Sequence, residues 1–207
     1  MRSAYQPHKT PDLTTKGSDN MKNITTTIRG ISPLLQHGFS AEFQRSDAPR
    51  PNVVQVGDPR SEAEAVAYRD QAGNCYFPGQ AISRLIREAG AGHKLKGSRR
   101  AVKFVVPAAV VVEDDHVPIL DLKGKPVSTF EVDSRPVTIP ATKGRIMRHR
   151  PRFDSWQAVL HLQIDEEVLP ATLVHQLLEE GGRRIGIGDF RPEKGGPFGR
   201  FEVLVWE

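Results

Sequence analysis

Hydrophobic and polar positions alternate most cleanly over residues 156–164. Trp156, Ala158, Leu160, Leu162 and Ile164 fall on one side, and Gln157, His161 and Gln163 on the other. Successive strand side chains point to opposite faces, so a period of two predicts a half-buried β-strand. Residues 24–29 (ITTTIR) repeat the pattern with Ile24, Thr26 and Ile28 and are rich in β-branched residues. Leu34 and Leu35 after it are expected to enter the core. Phe201–Trp206 reads as a closing strand. Shorter strands are expected at residues 76–77, 127–132 and 136–140. The run 104–112 is β-rich and predicts a strand buried on both faces or bent at Pro107. The period changes in residues 78–89. There Ala81, Ile82, Leu85, Ile86 and Ala89 form one apolar stripe, which predicts a helix. Leu173, Val174, Leu177 and Leu178 predict another, with Pro170 in its first turn and a glycine-type end at Gly181-Gly182. Residues 62–68 suit a short helix or the entry to a strand. Residues 70–74 and 121–125 read as turns.

In order, the first half reads strand, loop, helix, basic loop, strand. The second reads strand, strand, helix, glycine loop, strand. Both fit an α+β fold with an antiparallel sheet, helices on one face and extended loops. Residues 1–20 are polar, hold Pro7, Pro11 and Gly17 and lack periodicity, so they predict a disordered tail. Residues 21–207 are expected to form a single domain, and Met21 reads as an alternative start to Met1. Residues 40–58 predict a long loop of the kind usually functional or disordered.

Charge changes the picture through its distribution. The 207 residues carry 29 Lys+Arg against 25 Asp+Glu, a modest net +4. Residues 143–152, however, contain Lys143, Arg145, Arg148, Arg150 and Arg152 with no acid. Residues 94–103 contain Lys94, Lys96, Arg99, Arg100 and Lys103, and no acidic residue lies between Glu88 and Glu113. Such runs are often only solvated loops. The first also holds Ile146, Met147 and Pro151, which favours an extended arm contacting phosphates. Like charges repel at this spacing, so the arm is expected to be mobile without a polyanion.

A third stretch, GGRRIGIGDFRPEKGGPFGRF at 181–201, carries seven glycines and four arginines. Gly186, Gly188, Gly195, Gly196 and Gly199 exceed what a helix-to-strand connection needs. With Arg191 and Arg200 they suit a loop whose backbone cradles a polyanion. Phe198, between Pro197 and Gly199, is the candidate for stacking a base.

Other chemistries are thinly represented. No GxGxxG opens a helix after a strand and no GxxxxGK[ST] exists, which argues against a Rossmann or nucleotide-hydrolysing enzyme. Cys75 is the only cysteine, so neither an internal disulfide nor a cysteine zinc site is expected. Asp114, Asp115 and His116 are adjacent and read as a turn. No metal or cofactor is expected. The apolar run 105–112 is far short of the roughly 20 residues of a membrane span. The polar N-terminus has no signal-like h-region, so a cytoplasmic protein is expected. His37 and His149 are the candidates for metal-free proton transfer, the minority reading.

Three stretches carry a resemblance. ITTTIRGISPLL resembles the opening of the RAMP superfamily, RNA-binding subunits of CRISPR antiviral effector complexes. YFPGQAISRLIREA (76–89) is similar to its Pro-Gly turn leading into a helix with basic residues. GIGDFRPEKGGPFGRF (186–201) resembles its C-terminal glycine-rich loop. Gln80-Ala81 stand where the superfamily often has Ser-Ser, Ser83-Arg84 replace its usual Lys-Gly, and the chain is short for a backbone subunit. The resemblance implies a ferredoxin-like, RRM-related core and RNA binding in a repeating filament, without catalysis. The leading expectation is a non-catalytic binder of single-stranded RNA, before DNA, assembling with itself or related subunits. The alternatives are an endoribonuclease using His37 or His149, and a phage-encoded imitator that binds effector proteins instead.

Overall fold

The computed structural model describes residues 21–38, 58–95, 97–138 and 144–207. The predicted tail, most of the 40–58 loop, Lys96 and Lys143 lie outside them. The elements are β1 (Met21–Gly30), β2 (Leu34–Leu35), α1 (Pro59–Ala65), β3 (Tyr76–Pro78), α2 (Gln80–Ala89), α3 (Val106–Ala109), β4 (Val110–Val112), β5 (His116–Pro118), β6 (Glu131–Thr138), β7 (Arg145–Phe153), β8 (Gln157–Asp165), α4 (Ala171–Arg184) and β9 (Phe201–Trp206).

The main sheet has the order β4-β8-β1-β9, and all its pairs are antiparallel. Helix α2 lies between β1 and β4 in the chain, and α4 between β8 and β9. Two interleaved strand–helix–strand units in this order are the split β-α-β topology of ferredoxin-like folds. The two clean alternations meet in the middle: Ile24 stands opposite Leu162 and Ile28 opposite Ala158. Ile24, Ile28, Trp156, Ala158, Leu160, Leu162 and Ile164 are buried, whereas Thr25 and His161 on the other face are exposed. Burying one large aliphatic side chain contributes roughly 1.5–3 kcal/mol, so this register is strongly favoured over a slip by one residue. Thr26 shares the buried face, and its hydroxyl donates to the Val205 carbonyl at 2.7 Å.

Helices α2 and α4 close over that face. Ile82, Leu85 and Ile86 of α2 and Val174, Leu177 and Leu178 of α4 are buried. The glycine-type end at Gly181-Gly182 is a correction: α4 runs through both glycines to Arg184. A Cβ on Gly181 would overlap the Leu85 side chain, and one on Gly182 would come within 2.6 Å of the Phe201 carbonyl. These glycines let α2 and β9 approach the helix. The left-handed stop comes at Gly186, φ +72°, whose N–H donates to the Gly181 carbonyl at 2.9 Å.

The run 104–112 also departs from expectation. It forms a 3₁₀ turn (Val102–Phe104), α3 and only then β4. Pro107 sits in the first turn of α3, where its missing N–H costs nothing. Of residues 62–68, those up to Ala65 form the end of α1, which Asp58 caps by accepting from the Ser61 N–H at 2.9 Å. The expected strands at 127–132 and 136–140 are replaced by β6.

A second sheet has the order β2-β7-β6; β6 and β7 are inserted in the chain between β4 and β8, β2 follows β1, and β3 and β5 form a two-stranded ribbon. Among the described residues no helix is long and apolar enough to cross a membrane.

Candidate nucleic-acid interface

The basic run is a strand of the second sheet. Far from hanging free as a mobile arm, β7 is hydrogen-bonded between β2 and β6. Charges four apart repel on a helix, but in a strand the intervening residues divide the cations between faces. The register pairs Asp133 with Arg150, Arg135 with Arg148 and Glu131 with Arg152 on one face. Arg145 lies on the other with Met147 and His149. Four of the five predicted cations are thus described, and three of them share a face.

That face is covered by the glycine-rich loop. Arg150, buried to 7% exposure, meets Asp189 at 2.6 Å, an ion pair outside hydrogen-bond alignment. Arg135 pairs with Asp133 at 2.5 Å and lies 4.6 Å from the centre of the Phe198 ring. Arg152 pairs with Asp154 at 2.6 Å and approaches Asp133 at 3.9 Å. The Arg148 side chain makes no ion pair or hydrogen bond among the described residues, and the residue is half-buried. Phe198 is buried at 6% exposure, with one ring face under Arg135, so it does not offer the open face expected for a base.

The glycines serve the loop's own packing. A Cβ on Gly188, φ +74°, would overlap the Leu35 carbonyl, which is how the loop comes down on β2. The Asp189 N–H then donates to that same carbonyl at 2.8 Å. Gly186, Gly196 and Gly199 likewise face nearby protein backbone or Pro192, and Gly195 faces open space. Most of the close backbone approach read from these residues is therefore internal.

What the loop leaves open is a cleft of about 650 Å³ between its own Gly186–Arg191 segment, the exit of β2, helix α2 and the start of β4. His37, Arg84, Arg87 and Arg191 contribute its basic groups. Glu193 bridges two of them, pairing with Arg84 and with Arg191, the latter at 2.9 Å. The Arg84 contact, followed by that from Arg191, holds the Glu193 carboxyl below its usual pKa, against the opposing effect of burial. Partial enclosure of the His37 ring lowers its pKa; Asp189 pulls it up, and Arg148 and Arg150 push it further down. The neutral, proton-accepting form is thereby favoured.

The other predicted residues are dispersed. His149 is buried on the α1 side of β7, its Nδ1 2.7 Å from the Ser134 hydroxyl and its Nε2 4.0 Å from Glu62. It does not join His37 in a pair. Arg200 is exposed and donates through Nε to the Arg183 carbonyl at 3.1 Å. Lys94, Arg99 and Arg100 are exposed on the segment after α2, outside the cleft lining. Sequence reasoning missed Arg84 and Arg87, which read as the polar side of an amphipathic helix. It also missed the pair of His161 with Asp114, Nδ1 to Oδ2 3.0 Å, on the open face of the main sheet. The alternation did place His161 opposite the core, but its partner lies 47 residues away. Among the described residues no group of three or more His, Cys, Asp or Glu is placed to hold a metal.

No family model matches this chain, and no curated protein matches it. Solved structures do. A chain of the Type III-B Cmr-beta complex bound to cognate target RNA, seen by cryo-electron microscopy, superposes with a TM-score of 0.56 at 12% identity, covering 91% of this chain. This chain spans 60% of that one. Cmr6 from Pyrococcus furiosus superposes with a TM-score of 0.48 at 10% identity, covering 89% of this chain and 99% of Cmr6. The first likeness and the split topology give this chain a ferredoxin-related α+β fold, as the resemblance of the three sequence stretches implied.

Proposed function

We propose that this chain is a non-catalytic binding subunit for single-stranded nucleic acid, RNA before DNA. It acts in the cytoplasm and assembles with itself or related subunits into a larger ribonucleoprotein of a CRISPR-type defence system. The observation that carries the reading is the basic cleft. Arg84, Arg87, Arg191 and His37 edge it. Arginine forks at the rim of an open groove suit phosphate tracking. The Cmr-beta structure, whose described state is RNA-bound, supports the choice of RNA. Support for cleavage by His37 and His149 is weaker, because His149 is buried and held by Ser134.

The test is a salt titration of fluorescence anisotropy with a labelled single-stranded RNA. Each phosphate neutralised on a single strand is expected to add about −0.7 to the slope of log K against log [salt]. The RNA should remain intact in EDTA. Absence of binding at low salt would overturn the proposal in favour of an imitator that binds effector proteins. Cutting lost in His37→Ala would overturn the non-catalytic part.

A further inference from the structure

The most exposed of the large hydrophobic side chains lies outside the cleft. Phe104 is 57% exposed, more than any other large hydrophobic among the described residues. It is not on a loose loop. It ends the 3₁₀ turn Val102–Phe104, whose neighbours Val102 and Val106 are buried at 0% and 2% exposure. The Val102 N–H donates to the His93 carbonyl at 2.9 Å, the Phe104 N–H to Ala101 at 3.2 Å and the Val105 N–H to Val102 at 2.8 Å. The ring is therefore held outward on a fixed pedestal, and its ordering cost on binding is small. Cations surround it. The Lys103 ammonium lies 5.1 Å and the Arg100 guanidinium 5.7 Å from the ring centre, and Arg99 is exposed beside them. Both distances are near the outer limit of a cation–π contact, so these groups hold the ring loosely. No acidic residue occurs from Ala89 to Val112.

We propose that Phe104 is a base-stacking platform and that, with Arg99, Arg100 and Lys103, it forms a second contact for a single-stranded nucleic acid. A rigid exposed aromatic ringed by uncountered cations has the two complements such a strand requires: a flat apolar face for a base and positive charge for the adjoining phosphates. The position also fits. Val106 and Pro107, within one turn of Phe104, line the cleft, so a strand leaving the cleft past α2 meets the platform next. This inference rests on the proposed function and adds to it a site that reads bases as flat surfaces rather than by sequence.

The test compares two single strands of equal length, one with all its bases and one with stable abasic residues, against wild type, Phe104→Ala and Phe104→Trp. Loss of one stacked base is expected to weaken Phe104→Ala about ten-fold on the base-bearing strand. Affinity for the abasic strand and the salt slope should be unchanged, and Phe104→Trp should bind as wild type. The side chain is exposed, so all three proteins should melt alike. If Phe104→Ala binds the base-bearing strand as wild type does, the platform is overturned while the cleft stands, and the ring belongs to a protein contact. If wild type binds neither strand at low salt, the platform falls together with the function on which it rests.

Discussion

Two stretches, each half lysine and arginine, have opposite fates in this molecule. Residues 145–152 and residues 94–103 are both basic and free of acids in the sequence. In β7, Arg150 meets Asp189 of the covering loop and is buried, and Arg152 meets Asp133 from β6 and Asp154 just past the strand's end. After α2, Lys94, Arg99, Arg100 and Lys103 form no ion pair among the described residues, the nearest in the chain being His93 with Glu180. Density of charge along a chain therefore says little about whether a charge is available. What decides it is whether the backbone is in a sheet, where cross-strand neighbours and covering loops supply carboxylates, or in a short turn, where nothing packs over it.

The largest expected effect that would break this comparison is on stability. Arg150→Met leaves Asp189 without its partner. Breaking a fully buried pair costs about 3–5 kcal/mol, but the Asp189 side chain is 31% exposed, so a loss of roughly 2 kcal/mol is expected in denaturant melts. Arg99→Met should change stability by less than about 0.5 kcal/mol. Equal losses for the two variants would show that both stretches are structural.

Binding is expected to follow the reverse order. Arg99→Gln with Arg100→Gln should lower the magnitude of the RNA salt slope by roughly 1.4, and Arg148→Gln by roughly 0.7, each without a change in melting. Arg148 is the member of the β7 face with no carboxylate partner among the described residues. If the paired substitution after α2 leaves the slope unchanged, the exposed cations are only solvated surface.

How much of this was legible beforehand follows from the physics of each signal. Period-two alternation exposed β1 and β8, and the apolar stripes exposed α2 and α4, because burial on one face leaves a local pattern. The division of 104–112 between turn, helix and strand was not legible, since a short apolar run has no period of its own. The glycine-rich loop was recognised as unusual, but the internal contacts of its glycines were not legible. Gly188 faces Leu35, more than 150 residues away, and no local rule reports that contact. Likewise the helix stripe found the buried side of α2 and left Arg84 and Arg87 unweighted, because the cleft they edge is built by residues 186–191.

The smallest expected effect sharpens the countered side of the comparison. The Glu193 carboxyl, whose ordinary value is 4.5, has its folded pKa lowered chiefly by Arg84. The unfolded chain then binds more protons in the interval between the two values. The contribution of Glu193 to stability is therefore complete above 4.5 and is lost as pH falls through the lower folded value. Melting temperatures measured from about pH 6 to about pH 3 should fall less steeply in Glu193→Gln than in wild type. Identical acid limbs would mean that the arginines on this wall of the cleft are not held by Glu193.

The central position of β1 has a consequence for how the protein comes into being. Its partners are β8 and β9, and Arg29 stands opposite Gln157, over a hundred residues further along. Synthesis at about 5–20 residues per second therefore leaves the apolar face of β1 without its sheet for on the order of ten seconds. The core must then form by closing a very long loop, the step that slows folding in proteins built from non-local pairings. A nascent chain halted before β8 would present Ile24 and Ile28 uncovered, and the cell's holding chaperones would meet the protein first at that strand.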